Sequence, residues 1–479
     1  MRSNKILFII FFFSFAIGQS SNAISGFVDF NYISRLSDGS LINLPYRLFR
    51  FNVDHESSDI LFRSNIAVEH KLRESTHFLS DQSPTDFSLD MREFYLQMFT
   101  SWGEFKIGKM IHTWGNVDEN SPIDVVSPYD YYYTFESGSD KKLGVFSSTI
   151  DLYLNNYKFG FTLSPLHNTH RTPQENDDFP IKLPSNPSSE EFMEISGMPL
   201  ELGIYAARTF GVGDISVNYF EGFDRLFNLS GVNVYAFGPD KSFSIIDIIY
   251  GYRKTKMLGF GSTLFLGNTT FRGDAAFFHT SDKNSADDFL LRTSSYQSQI
   301  YDSLHYSYPL KEKANYFQAT LQLEVDLPFD IKFIGQLFTY DTLDYQADSL
   351  PIGDDISIPN LEISIDELDP KNIFTPGYGS SLGVLTKRAV IMSLNKSFAN
   401  EQLTISASSL LDIDNTSFNG SVPGLIFSFE TSYIIKNNLH LVLGYTKIKG
   451  NDRHPLREDY RINIMEDFSH VRANLKFNF

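Results

Sequence analysis

The end of the chain, within Phe468 to Phe479, alternates without a fault from His470 onward. Val471, Ala473, Leu475, Phe477 and Phe479 fall on one side of an extended strand, and His470, Arg472, Asn474, Lys476 and Asn478 on the other. A period of two gives a strand one apolar and one polar face. The pattern recurs upstream: Phe317, Ala319, Leu321, Leu323 and Val325 oppose Tyr316, Gln318, Thr320, Gln322 and Glu324, and Leu403, Ile405 and Ala407 oppose Gln402, Thr404, Ser406 and Ser408. A tilted strand needs about ten such residues to cross a bilayer. Beyond residue 23 no long apolar run occurs, and Phe243 to Tyr250 is broken by Ser244 and Asp247. Backbone groups in lipid must be satisfied within the protein, so a membrane form of this chain has to be a closed barrel.

Residues 1–23 read as a secretory signal. Arg2 and Lys5 precede an apolar run from Ile6 to Ile17, too short to span a hydrocarbon core about 30 Å thick, and Ser21-Asn22-Ala23 offers the small residues of a cleavage site after Ala23. No cysteine stands there for a lipid anchor. Cysteine is absent from the whole chain, which removes disulfides, thiolate metal sites and thiol nucleophiles. The formal charge of −18 becomes −20 once Arg2 and Lys5 are removed, which argues against a binder of nucleic acid. With Phe 45, Tyr 25 and Trp 2 the chain is strongly aromatic yet polar on average, at a mean hydropathy of −0.19, which excludes both disorder and a bundle of membrane helices.

The mature residues, 24–479, are therefore predicted to form one all-β antiparallel transmembrane barrel of about eighteen strands (16 to 20), the first at 26–35 and the last at 467–479. Short spacers such as Asn155-Asn156, Gly267-Asn268 and Lys436-Asn437-Asn438 suit tight turns. Long ones run over 165–198, 223–250, 281–313, 341–380 and 449–466. Short periplasmic turns and long outer loops are the expected asymmetry. A strand beginning near Gly26 leaves no room for the soluble plug of a TonB-dependent receptor.

The terminal strand resembles the last strand of bacterial outer-membrane barrels. That likeness implies that Val471, Ala473, Leu475, Phe477 and Phe479 are the signal read by the barrel-assembly machinery. The stretch from Met91 to Asp130 resembles a largely uncharacterised family of porin-like Gram-negative outer-membrane proteins. The matching residues are Arg92, Glu93, Gly108, Lys109, Trp114, Gly115, Asp118, Asp124, Pro128 and Asp130, with Met110 where the family has Gln and Ser127 where it has Asn. Phe271-Arg272-Gly273-Asp274 is similar to an Arg-Gly-Glu of a later strand in the same family. The resemblance implies a barrel in the outer membrane and says little of the solute.

Physically, residues 113–141 look like a polar segment leaving the wall after Trp114-Gly115. It either folds into the lumen as a constriction, with Asp118, Asp124 and Asp130 facing inward bases, or stays an outer loop whose Trp marks the membrane interface and whose acids close turns. Candidate pore residues are Glu93, Lys106, Lys109, Trp114, Asp118, Asp124, Asp130, Arg272 and Asp274; strand parity turns Glu93, Lys106, Arg272, Asp274, Glu324, Lys332, Arg472 and Lys476 inward, and these charges carry both signs. The cluster Tyr129, Tyr131, Tyr132, Tyr133 and Phe135 suits an interfacial belt better than a stacking platform. Nine acids in 341–380 (Asp341, Asp344, Asp348, Asp354, Asp355, Glu362, Asp366, Glu367 and Asp369) against one base, Lys371, suit a solvated loop better than a divalent bridge to lipopolysaccharide. His112, His279, His440 and His470 come with no acid or Ser at triad spacing, and no His-Glu-x-x-His, EF-hand or phosphate-loop motif occurs, so no enzyme, cofactor or metal is expected. The function expected is a passive or weakly selective channel for small solutes. A route for hydrophobic molecules and a loop-based receptor or adhesin are the alternatives, and the partners expected are outer-membrane lipid and lipopolysaccharide.

Overall fold

The computed structural model describes residues 20–71, 87–133, 138–173, 178–181, 187, 191–193, 195, 197–237, 243–282, 303–348, 374–414, 423–452 and 460–479. Its strands are β1 (Ser20–Arg35), β2 (Tyr46–Ser57), β3 (Ile60–His70), β4 (Phe87–Thr100), β5 (Gly103–Met110), β6 (Val145–Leu154), β7 (Tyr157–Ser164), β8 (Glu201–Phe210), β9 (Gly213–Phe223), β10 (Asn228–Phe237), β11 (Phe243–Gly251), β12 (Lys254–Leu266), β13 (Thr269–Ser281), β14 (Ser303–Pro309), β15 (Lys313–Leu327), β16 (Ile331–Gln346), β17 (Arg388–Phe398), β18 (Leu403–Asp412), β19 (Gly424–Lys436), β20 (Leu439–Lys449) and β21 (His470–Asn478). Eighteen of them pair antiparallel with their neighbours in one sheet, and β21 pairs with β1 to close it.

At the seam, the Gly26 amide donates to the Phe479 carbonyl at 2.9 Å, and the Phe479 amide returns a bond to Gly26 at 3.0 Å. The Phe479 ring lies against Phe49, with centroids 6.0 Å apart. A Cβ on Gly26 would stand 2.2 Å from the Arg50 carbonyl oxygen and 2.7 Å from the Phe479 ring, so only glycine lets the last residue close over the first strand.

The wall inverts the burial of a water-soluble protein. On β12, Leu258, Phe260 and Leu266 point outward at 58%, 49% and 52% exposure, while Thr255, Met257 and Thr263 between them are buried inward. The inner face of β13, β15 and β16 buries Asp274, Gln318, Thr320, Gln322 and Gln336. An outer surface so apolar would aggregate in water and is satisfied by lipid tails. The hairpin turns at 58–59, 155–156, 267–268 and 328–330 use left-handed residues, Ser58, Asn155, Gly267, Phe329 and Asp330 among them, and all lie on one rim with the seam.

The eighteen expected strands are the eighteen of the wall, with three differences elsewhere. The spacers at 223–250 and 281–313 are not plain loops, because β10, β11 and β14 form a separate sheet in the order β11-β10-β14. β16 runs on to Gln346, since β15 begins at Lys313 and offers backbone partners that far; Asp341 and Asp344 are thus strand residues opposite Phe317 and Asn315. Of the other acids expected in that loop, Asp348 accepts from Lys311 at 3.0 Å, and the remaining six, with Lys371, lie outside the described residues. Third, β1 starts at Ser20, pairing Ser20 to Ala23 with Ser57 to Asp54, so cleavage after Ala23 would trim its first four residues. Residues 1–19 of the expected signal lie outside the described residues.

Deleting Phe479 removes both seam bonds and the Phe49 contact. The heat-modifiable, folded band in outer-membrane fractions should fall severalfold, and undiminished folded protein would contradict this closure.

Candidate pore constriction

In the connection from β5 to β6, residues 111–133 turn into the barrel. Its anchor is Asp274, an inward residue of β13. The two carboxylate oxygens accept from the Asn116 amide at 3.1 and 2.8 Å, and one of them also takes the Val117 amide at 3.0 Å and the Ser121 hydroxyl at 2.7 Å. Neighbouring strands add amide contacts. Gln322 accepts from the Asp118 amide at 3.0 Å and donates to its carboxylate at 2.6 Å, Gln336 accepts from the Asn120 side chain at 3.1 Å, and the Thr320 hydroxyl donates to the Asn120 carbonyl at 2.7 Å. Residues 116–121 are thus sewn to the inner face of β13, β15 and β16. Arg272 pairs with Asp118 and, at 3.4 Å, with Glu324.

The Trp-Gly pair makes the entry possible. Gly115 has φ +115, a conformation L side chains rarely adopt, and a Cβ there would lie 2.3 Å from the Ser121 hydroxyl and 2.9 Å from Asp274. Trp114 is not at a membrane interface. Its ring packs inside the barrel against Tyr205 and Phe220, at centroid distances of 5.7 and 6.4 Å, over Gly203, where a Cβ would meet the indole at 2.6 Å. Past the turn, Ile123, Val125 and Val126 join Phe220, Met257 and Phe278 in an apolar cluster within the lumen.

Asp124 and Asp130 do not face open lumen, because each is consumed in holding the segment. Asp124 accepts from the Trp114 amide at 2.8 Å and pairs with buried Lys142, whose ammonium also reaches the His112 carbonyl at 3.0 Å. Asp130 is fully buried between Arg171 at 3.3 Å and Arg47 at 3.9 Å. Burial outweighs the pull of Arg171 and pushes its carboxyl up to about 6. A carboxyl raised in the folded state stabilises that state most when protonated, so its contribution declines as pH climbs from about 4 to about 6. Ser127 accepts from the His112 amide at 2.8 Å, and the His112 ring meets Ser147 at 2.8 Å. Burial drives that imidazole down to about 3, so it is neutral.

The aromatic run is no belt either. Tyr129, Tyr131 and Tyr133 are buried, the first two in a second interior cluster with Ile42, Phe179 and Phe468; Phe135 lies outside the described residues. Lys109 is also corrected. It pairs with Phe94 and Phe146, both exposed outward, and sits three residues from inward Lys106 on the opposite face of β5. His279 is exposed on the outer face, 2.8 Å from Asn315.

Opposite the anchored segment, the inner faces of β4 to β9 and residues 110–116 enclose a cavity of about 360 Å³. Glu93, Lys106 and Trp114 line it, with Tyr95, Asp151 and Lys158. Asp151 accepts from Lys158 at 3.1 Å and from the Tyr205 hydroxyl at 2.8 Å, Lys106 stands 3.5 Å from Glu104, and Glu93 accepts from the Ile111 amide at 3.3 Å. Sequence reasoning missed the wall amides Gln318, Gln322 and Gln336, although their inward parity was legible. It also missed the buried ion pairs Arg225 with Glu201 at 2.6 Å and Arg253 with Asp224 at 2.8 Å, for which no local signal exists.

No protein-family model and no curated protein matches the chain. Solved structures with a similar course of chain include the outer membrane protein opdK from Pseudomonas aeruginosa, 9% identical, with a TM-score of 0.47 over 97% of this chain and 100% of that one. OccAB2 from Acinetobacter baumannii is 12% identical, with a TM-score of 0.47 over 97% of this chain and 98% of that one. A BenF-like porin from Pseudomonas fluorescens Pf-5 is 11% identical, with a TM-score of 0.46 over 97% of this chain and 98% of that one. Likeness at this level fixes neither a solute nor a site residue.

Asp274→Ala tests the anchor. A hydrogen bond to a charged group contributes about 1.5 to 3 kcal/mol, and the stranded amides add a desolvation cost. Residues 116–121 should come away from the wall, raising single-channel conductance and current noise, with Asp274→Asn intermediate. A parent-like trace from the Ala variant would mean that the segment is held by other contacts.

Proposed function

We propose that this protein is an outer-membrane channel for small polar solutes, exported by its N-terminal signal, inserted through its C-terminal strand, and narrowed by residues 111–130. The observation that supports it is the segment sewn to mid-wall residues of β13, β15 and β16, which leaves a small polar cavity against the facing wall. A route for hydrophobic molecules fits less well, because the cavity is lined largely by hydroxyl, amide and charged groups. The receptor alternative draws on the separate sheet of β10, β11 and β14. In this reading Asp118, 42% exposed and paired with Arg272, is a lumen-facing carboxylate of the anchored segment.

Purified protein in planar bilayers should give open steps of fixed size. Silence at all voltages would favour the receptor reading. In a salt gradient, Asp118→Asn leaves Arg272 without that carboxylate and should move the reversal potential toward anions by several millivolts at low ionic strength, where screening is weakest. A parent-like potential would take the pair out of the conducting path.

A further inference from the structure

The cavity beside the constriction has a chemistry more specific than that of a water-filled gap. At about 360 Å³ it sits at the small end of ligand cavities, which run from about 300 to 1,000 Å³. Its charges cancel: Glu93 and Asp151 stand against Lys106 and Lys158. Both ammonium groups are already engaged, Lys158 with Asp151 at 3.1 Å and Lys106 with Glu104 at 3.5 Å, and Glu93 receives the Ile111 amide. A carboxylate, an ammonium or a zwitterion entering here would have to break an existing pair before making its own, at a desolvation cost. The hydrogen-bonding capacity left over is neutral. Among the described residues neither the buried Thr162 hydroxyl nor the buried side-chain amide nitrogen of Asn116 has a partner, and both residues line the cavity. Buried polar groups left unmatched are costly, and a solute hydroxyl satisfies either. Trp114 and Tyr205, inclined at 62° to one another, supply aromatic surface on the same wall.

We infer that this cavity is a binding station for a neutral polyhydroxylated solute of monosaccharide size, held by aromatic contact with Trp114 and Tyr205 and by hydroxyl hydrogen bonds to Thr162 and Asn116. The inference rests on the channel reading for its role in transport, but the binding itself can be tested without any current. The chain has two tryptophans, and Trp102 is exposed in the β4–β5 turn, so Trp102→Phe leaves Trp114 as the single reporter inside the barrel. The folded, full-length Trp102→Phe protein in detergent is titrated at constant ionic strength with D-glucose, with sodium D-gluconate, and with L-alanine as the zwitterion.

Saturable change in Trp114 emission with glucose, and several-fold weaker response to the other two, is expected. Thr162→Val keeps the side chain's shape and removes its hydroxyl; in the same background it should raise the half-saturating glucose concentration about fivefold, the effect of one neutral hydrogen bond. Absence of saturation with glucose, tighter binding of gluconate or alanine, or an unchanged Thr162→Val titration each overturns the inference. Fixed conductance steps without glucose binding would leave the channel reading standing and sink this one, whereas glucose binding without conductance would do the reverse.

Discussion

In a bilayer no water is available to satisfy a strand edge, and every unpaired backbone N–H or C=O there costs several kcal/mol. The whole architecture follows from meeting that demand by closure. The β1–β21 pairing turns an open sheet of eighteen strands into a ring with no edge, completed at the chain's last residue by the pair of bonds between Gly26 and Phe479. Once the ring exists, alternate side chains must face lipid or lumen, which explains why Leu258 and Phe260 are exposed while Thr255 and Asp274 are buried.

The lumen then poses the opposite problem, an interior in which many polar and charged side chains are buried. The protein resolves it by pairing. Asp274 accepts from two backbone amides and a hydroxyl, Arg225 takes both oxygens of Glu201, and Arg253 bridges Asp224 and Glu312 at 2.8 and 2.7 Å. Breaking such a pair on one side leaves a buried charge uncompensated, a far larger effect than losing a surface ion pair. The segment after Trp114 is therefore part of the wall: its amides satisfy the wall's carboxylate, and the wall's Thr320 hydroxyl and Gln336 amide satisfy its carbonyls.

The strand pattern was legible because period two is imposed by the backbone and by the two solvents on either side of it. Glu93, Lys106, Arg272 and Asp274 lie on the inner face that parity gives them, whereas Lys109, a pore candidate by its motif and not by parity, falls on the other face of β5, three residues from Lys106. Asp124 and Asp130 were recognisable as special acids, but their use as anchors depends on Lys142, Arg47 and Arg171, which arrive from elsewhere in the chain. The buried tyrosines and the sheet of β10, β11 and β14 were misread for the same reason, since an aromatic run in a connection looks alike whether it meets lipid or the packed loops of the interior.

Residues 116–121 lie against the inner wall at β13, β15 and β16. The chain contains no cysteine, so Asn120→Cys with Gln336→Cys creates the only thiol pair, at positions whose side chains meet at 3.1 Å in the parent. A short bifunctional thiol reagent applied to the folded barrel should join them, seen by mass as one bridging linker per chain with both thiols consumed. Two singly modified thiols and no bridge, in protein that still migrates as a folded barrel, would contradict the account.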